Sequence, residues 1–204
     1  INSKEDMYKY FNKQLERLKT DYIDYYLIHS LNKKFWENLK ENGLFEFIDE
    51  LKQKGLVKHI GFSFHDEYEV FEKIIDEYDN WEFVQIQLNY LDEDWQAGLK
   101  GLEYAKKNNL DLIIMEPLKG GKIVGDIPKD IEKIFMNSNN KRKPVKWALD
   151  YLWDKPEVDI LLSGMSNMDQ VIENVEYADK SEPNCFNKED IKKIEKVKEE
   201  YTKR

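Results

Sequence analysis

The sequence is poor in cysteine, in long apolar runs and in basic relative to acidic residues. Cys185 is the one cysteine among 204 residues, so an internal disulfide and a cysteine-rich metal site are excluded within this sequence. The longest apolar runs, Leu112–Met115 and Ile160–Leu162, are far shorter than the ~20 residues that cross a bilayer. We therefore expect no membrane span and no bound metal.

The excess of acidic over basic residues limits the kinds of partner that we expect this chain to bind. The chain carries 32 basic and 41 acidic residues, a formal net charge of −9, whereas nucleic-acid-binding proteins carry a basic face. The chain opens with polar residues of helical character, not with a secretory signal. Hydrophobic residues make up 41%, enough for a sizeable core. We expect an acidic, cytoplasmic protein with no nucleic-acid partner and one domain over residues 1–204.

Apolar patterning predicts strands that alternate with helices. The predicted strands are Tyr22–Ile28, Val57–Ser63, Phe83–Gln87, Leu112–Met115 and Ile160–Leu162. Each is followed by a helical pattern, a further helix precedes the first strand, and a charged amphipathic helix over residues 188–202 closes the chain. Repeated βα units imply a parallel sheet with right-handed crossovers.

Two architectures fit such a sheet, an open doubly wound sheet and a (β/α)8 barrel. A complete barrel uses about 31 residues per βα unit, so this chain holds only about six and a half units and would lack some strands. The sequence has no Walker A motif, no G-x-G-x-x-G and no G-x-S-x-G. Their absence weakens the open-sheet nucleotide-binding domain of the usual kind.

Polar residues follow the predicted strands, at the end where ligands bind in either architecture. They are His29, Ser63, Gln85, Glu116 and the segment Ser163–Asn167. We expect these five strand ends to converge on one polar pocket; the alternative is that they only cap strands and begin helices.

Two glycine-containing loops are candidate phosphate contacts. Gly164 precedes a predicted helix start capped by Ser166, and a helix N-terminus attracts anions. No lysine or arginine lies between Asp159 and Asp179, so a ribose phosphate would lack its usual clamp there. Gly120, in a Gly-Gly pair flanked by lysines, is the second candidate, although a flexible turn is an equally simple explanation.

Five segments, taken in chain order, resemble the aldo-keto reductase family. They are 15–29 (LERLKTDYIDYYLIH), 55–63 (GLVKHIGFS), 84–90 (VQIQLNY), 115–121 (MEPLKGG) and 162–174 (LSGMSNMDQVIEN), which look like strands four to eight of that family with the cofactor-binding helix. The resemblance implies an incomplete (β/α)8 barrel from an oxidoreductase that reduces small aldehydes or ketones with NADP or NAD.

The resemblance also assigns residues. His29 corresponds to the catalytic histidine that orients the substrate oxygen, and Ser63 and Gln85 to residues that hold the nicotinamide carboxamide. Met115 falls where an aromatic ring often stacks on the nicotinamide. Further cofactor contacts are implied for Glu116, Leu118, Gly164, Met165, Ser166, Asn167, Gln170, Glu173 and Asn174.

Some positions depart from the family pattern, and they limit what the resemblance implies about cofactor preference and activity. Gln170 and Gly164 stand where many members have arginine and lysine, which weakens the case for strict NADP preference. The family's general-acid tyrosine, with its lysine and aspartate partners, precedes the first matched segment. We therefore expect a truncated reductase that is inactive alone. The matched segments are most similar to those of a bacterial or archaeal subgroup whose members often continue into an iron–sulfur module. Only a longer chain would carry that module.

Two alternatives remain open from the residues. One is a non-catalytic, nucleotide-binding protein with a barrel-like fold. The other is a metal-dependent hydrolase that uses His29, His65 and Glu116, which requires those side chains to converge on one ion. An incomplete barrel also leaves bare strand edges, so we expect homo-oligomers formed through them, a collapsed partial barrel, or residues preceding Ile1 that fill the gap.

Overall fold

The computed structural model describes residues 1–136 and 142–204, and the element bounds follow the predicted alternation. The elements are α1 (Lys4–Leu18), β1 (Ile23–Leu31), α2 (Lys33–Glu41), α3 (Leu44–Gln53), β2 (Val57–Phe64), α4 (Tyr68–Asp76), β3 (Phe83–Gln87), α5 (Gly98–Lys107), β4 (Asp111–Met115), α6 (Lys129–Met136), α7 (Pro144–Trp153), β5 (Ile160–Leu161), α8 (Met168–Ala178) and α9 (Lys188–Thr202), with a 3₁₀ turn at Lys119–Gly121. All five predicted strands are present.

The strands form one sheet in the order β1-β2-β3-β4-β5. The pairs β1–β2, β2–β3 and β4–β5 are parallel. A doubly wound sheet reverses its strand order at a switch point, whereas a (β/α)8 barrel adds each strand beside the preceding one. The observed order is therefore that of consecutive barrel strands and argues against the open-sheet alternative.

The chain divides into two compact units. Unit 1 contains residues Ile1–Ile86 and Lys100–Leu112, and unit 2 contains Gln87–Leu99 and Ile113–Arg204. The core of unit 1 contains many aromatic rings: the ring centroids of Phe62 and Trp81 lie 4.9 Å apart, in an edge-on arrangement that aromatic quadrupoles favour. The buried indole of Trp36 donates a hydrogen bond of 2.6 Å to Glu77, so its polar atom is satisfied.

Aromatic packing and ion pairs stabilise unit 2. Trp147 is fully buried and stacks on Phe135 with ring centroids 5.6 Å apart. Arg142 lies 3.2 Å from the buried carboxylate of Asp150 and 3.4 Å from that of Asp190, so one guanidinium bridges α7 and α9. A guanidinium placed between two buried carboxylates offsets part of the cost of removing these charges from water.

The connection into α9 is fixed by local hydrogen bonds. Asn187 and Asp190 form a reciprocal capping box at the start of α9. Asp154 accepts a hydrogen bond of 2.7 Å from the backbone N–H of Phe186. Half-buried Cys185 precedes that residue, and burial, together with the charges of Asp150 and Asp154, raises the pKa of its thiol from 9.0 to about 11.

Two helices and two local details differ from the sequence expectation. The helices α2 and α6 were not predicted. The strand β1 continues past His29 to Leu31, with Ser30 in the left-handed region at φ 58°. The N-cap of α8 is Asn167, not Ser166, because the Asn167 side chain accepts the N–H of Gln170. An asparagine side chain serves this role as well as serine.

Neither a membrane span nor a metal cluster is found in the part of the chain that the structure covers. No helix there combines the length and apolar character needed to cross a bilayer. Within the same residues, no three or more His, Cys, Asp or Glu side chains are grouped so that they could hold a metal ion. The hydrolase alternative requires such a group.

Candidate functional site

Two of the predicted cofactor-binding residues are neighbours in unit 1. The parallel pairing of β2 with β3 places Ser63 opposite Gln85. Opposed residues on paired strands project toward the same face of a sheet. Ser63 is buried and Gln85 half-buried, so together they present a hydroxyl and an amide to one face of the sheet.

The Ser63 hydroxyl also fixes the backbone beside His29. Its Oγ accepts a hydrogen bond of 2.7 Å from the backbone N–H of Ser30. Ser30 has left-handed backbone geometry, which is uncommon for a residue other than glycine and needs such support. Because Oγ acts as acceptor here, the O–H of the same hydroxyl can in addition donate a hydrogen bond. Unit 1 therefore brings together three predicted residues at neighbouring strand ends.

His29 itself is exposed and lines a cavity of about 420 Å³ in unit 1. We call this space the His29 cavity; Lys34, Phe35 and Asn38, from α2, also line it. Within residues 1–136 and 142–204, no hydrogen bond or ion pair engages the His29 imidazole. The ring is thus available to a ligand as donor or acceptor.

The other two histidines have different surroundings. The Nδ1 of His59 lies 2.8 Å from Glu82, and its ring stacks on Tyr25 with centroids 4.6 Å apart. His65 follows β2, and its backbone N–H donates to the carbonyl of Leu31 at 2.9 Å. Neither lines the His29 cavity.

A second cavity, of about 460 Å³, lies wholly in unit 2, between the loop after β4 and the start of α8. We call it the α8 cavity. Nine predicted cofactor-binding residues line it: Glu116, Leu118, Gly120, Gly164, Met165, Ser166, Gln170, Glu173 and Asn174. Met115, half-buried at the end of β4, and Asn167, which caps α8, do not line it.

The loop after β4 holds its shape through unusual backbone angles. Glu116 has φ 56°, and its carbonyl accepts a hydrogen bond of 3.3 Å from the side-chain amide of buried Asn89. Gly120 and Gly121 have φ of 62° and 87°, a region in which a side chain is strained. Lys119, which flanks this pair, forms an ion pair with Asp92 and does not line the α8 cavity.

Side chains of α8 organise the opposite wall of that cavity. The Oε1 of Gln170 accepts the backbone N–H of Ser166 at 2.8 Å and its hydroxyl at 3.2 Å. The side-chain amide of Asn174 donates to the hydroxyl of Ser163 at 3.1 Å. The loop from β5 into α8 is therefore tied to the first turns of the helix.

The charged side chains that line the α8 cavity are glutamates, and one of them is paired with a lysine outside the lining. Lys143 forms an ion pair with Glu173, and this contact, with a 2.9 Å hydrogen bond from Tyr177, holds the pKa of the Glu173 carboxyl below its usual value. Of the described residues that line the cavity, none is lysine or arginine, and both charged ones are glutamates.

Sequence reasoning missed the residues of α2 that share a cavity with His29. Lys34 and Asn38 lie in a short helix of mostly polar residues, which resembles any solvated surface helix. The usable signal was Asn32, an N-cap residue directly after β1, whose side chain accepts the N–H of Phe35 at 2.9 Å.

Comparison with known families gives a match over nearly the whole chain. The sequence profile described as "Aldo/keto reductase family" matches residues 2–199.

Two curated relatives align with most of the chain at 25–27% identity. The uncharacterized oxidoreductase YqkF of Bacillus subtilis (strain 168) is 27% identical over 190 residues, which are 81% of this chain and 58% of that protein. The NADH-specific methylglyoxal reductase of Escherichia coli (strain K12) is 25% identical over 187 residues, 79% of this chain and 56% of that protein. The chain thus spans a little more than half the length of these relatives.

Among solved structures, the holo form of aldo-keto reductase AKR11C1 from Bacillus halodurans superposes with a TM-score of 0.76 at 22% identity. The superposition covers 97% of this chain and 68% of that one. At this identity the likeness shows the fold alone. It confirms the predicted fold class, an incomplete (β/α)8 barrel.

Proposed function

Because the chain belongs to the aldo/keto reductase family, we propose that it acts in an oxidoreductase that reduces small aldehydes or ketones with a nicotinamide cofactor. The observation that carries this proposal is the arrangement in unit 1. Ser63 and Gln85 are register partners, and Ser63 anchors the backbone beside the exposed His29. Oxidoreductases among the relatives, at 25–27% identity, support the same reaction class.

The unit 1 residues suit their proposed roles chemically. A carboxamide offers one carbonyl acceptor and two N–H donors, and the Ser63 hydroxyl and the Gln85 amide supply complementary groups. The bound cofactor supplies the hydride. The His29 imidazole donates a hydrogen bond to the substrate carbonyl oxygen, which orients it and stabilises the negative charge that develops there.

The α8 cavity suits the adenosine and phosphate portion of the cofactor. Its walls offer backbone groups from a glycine loop on one side and amide side chains from α8 on the other. We propose NADH over NADPH as the preferred form. A 2′-phosphate would meet Glu116 and Glu173 without a lining lysine or arginine to neutralise it, and phosphate is normally bound by such cations. The NADH-specific relative supports this preference.

The residues that we propose here orient substrate and cofactor, but they do not provide the acid that completes the reduction. In the family this acid is a tyrosine supported by a lysine, and it lies outside the five matched segments. We propose that the 204-residue chain binds cofactor without turnover. NADH oxidation by this chain with a panel of small aldehydes and ketones would contradict that part of the proposal.

Cofactor binding tests the proposal directly. In a titration followed by fluorescence, we expect NADH to bind the chain, and Gln85→Met to weaken binding about fivefold, because a hydrogen bond contributes roughly 1 kcal/mol net. Gln53→Met, at the exposed end of α3, is the matched control and should bind as the parent does. If the parent shows no binding of NADH or NADPH, the proposal fails.

A further inference from the structure

The His29 cavity carries a cation that the reduction of a simple carbonyl does not require. Lys34 lines it, and in the described chain no carboxylate pairs with the Lys34 ammonium. The lining contains neither aspartate nor glutamate; its other members are Ile1, Asn2, Phe35, Asn38 and Leu39. In a chain of net charge −9, a cavity with this composition favours anions.

The attraction comes from side chains and not from the end of α2. Two amides in the first turn of the helix are already engaged: the N–H of Lys33 donates to Asp66 at 2.8 Å and that of Phe35 to Asn32 at 2.9 Å. An anion in the cavity is therefore left with the Lys34 ammonium, the Asn2 and Asn38 side-chain amides and the His29 ring as its polar partners. The exposed Phe35 ring adds an apolar wall.

We propose that the His29 cavity selects carbonyl substrates that also carry a carboxylate, such as short oxo acids. Lys34 binds the carboxylate while His29 faces the carbonyl oxygen. A volume of about 420 Å³ accommodates a molecule of this size. The substrate class rests on the reductase function proposed above, whereas the carboxylate preference is measurable without cofactor.

The test compares two ligands of nearly equal size, butanoate and butanamide. Each is titrated into the chain while the ring signals of its three histidines are followed by NMR, with His59 and His65 as internal references. We expect butanoate to shift the His29 signals and to bind at least about fivefold more tightly than butanamide. Equal binding of the two ligands, or shifts that spare His29, would overturn the proposal.

Neighbouring lysines provide a matched pair of variants. Lys34→Met should abolish the preference for butanoate, and Lys34→Arg should retain it. Lys33→Met removes the same charge from the adjacent position, which does not line the cavity, and should leave the preference intact. A preference that survives in Lys34→Met contradicts the inference. Retained butanoate selectivity in a chain that binds no nicotinamide cofactor would refute the reductase function and leave an anion site without that role.

Discussion

Gln170 and Glu173 illustrate how single side chains on α8 set the chemistry of the α8 cavity. Gln170 uses its carbonyl oxygen to hold Ser166, and Glu173 is paired with Lys143 outside the cavity lining. Both interactions leave the cavity without a positive charge directed at a ligand. An arginine at position 170, whose side chain is longer than that of glutamine, would bring a cation to the cavity and change that balance.

Gln170→Arg should therefore raise the affinity for NADPH about tenfold, with a smaller change for NADH. A hydrogen bond to a charged group contributes roughly 1.5–3 kcal/mol, from which the lost contact with Ser166 subtracts. The ratio of the two dissociation constants, measured by fluorescence titration, reports the change. Gln14→Arg, on the exposed side of α1, adds the same charge elsewhere. An unchanged ratio in Gln170→Arg would contradict the assignment of this cavity to the ribose.

Residue positions were predictable where a motif fixed them and were missed where only the fold creates the contact. Ser63 and Gln85 belong to recognisable strand segments, and the structure pairs them in register, while their roles toward a cofactor stay a prediction. Lys34 was missed because a lysine on a short polar helix has no local signal. Only the fold brings it, through α2, to the cavity that contains His29, and its role there stays a proposal. The convergence of residues from both units on one pocket stays a prediction.

At the scale of elements, the pairing of β2 with β3 depends on a glycine. A side chain added at Gly61 would place its Cβ 2.3 Å from the carbonyl oxygen of Phe83 and 2.6 Å from its ring. Such contacts force the backbone apart, because Phe83 is itself buried and cannot move aside. The same pairing sets the register of Ser63 with Gln85.

We expect Gly61→Ala to lower the free energy of unfolding by about 1–3 kcal/mol, the usual range for overpacking a core. Urea denaturation followed by tryptophan fluorescence measures the change. Gly164→Ala is the matched control, because an added Cβ there meets nothing within 4 Å, and its stability should match the parent. If the two variants have equal midpoints, the close approach at Gly61 is not a constraint.

The strands and most of the helices were predictable from sequence, whereas α2 and α6 were not. The bounds of β3 were predicted without error because apolar residues fill it and turns flank it. The helix α2 has nine residues, of which only three are large and apolar, so its periodicity is weak. The helix α6 is one residue shorter and follows a glycine-rich loop, which masks its start. Packing and caps, more than intrinsic pattern, form such elements.

At the scale of the whole chain, β1 and β5 each have a single strand partner among the residues that the structure describes. Ile160 on β5 is 50% exposed, and Leu162 just beyond it is 44% exposed. Unpaired strand edges with apolar side chains promote association between chains. The homo-oligomer predicted from the sequence stays a prediction, and this edge is the place to test it.

Ile160→Lys should shift the chain toward the monomer in sedimentation velocity, because a charge on an edge strand opposes edge-to-edge pairing. Ile191→Lys changes an equally exposed isoleucine, also 50%, on α9 and should leave association as it is. If both variants associate like the parent, the β5 edge is not the contact. If the parent is a monomer at all concentrations, the prediction of oligomers is wrong.

The architecture of the chain was predictable because βα repetition and the family motifs point to the same fold, and the observed strand order agrees with it. What sequence could not supply is the substrate, since specificity arises from cavities that combine distant residues. Family membership covers residues 2–199, while the chain spans only 56–58% of its curated relatives. The substrate and the turnover of this chain are therefore measured by the experiments described above.

The alkylation rate of the Cys185 thiol, which lies between α8 and α9, reports how often this segment opens locally. With its pKa raised from 9.0 to about 11, Cys185 is roughly a hundredfold less ionised at neutral pH than a free thiol. Iodoacetamide should alkylate it slowly until the segment detaches and the reagent gains access. As the chain has no second cysteine, each mass increment records one such event. The lifetime of the closed C-terminal segment can thus be timed by mass spectrometry without any attached dye.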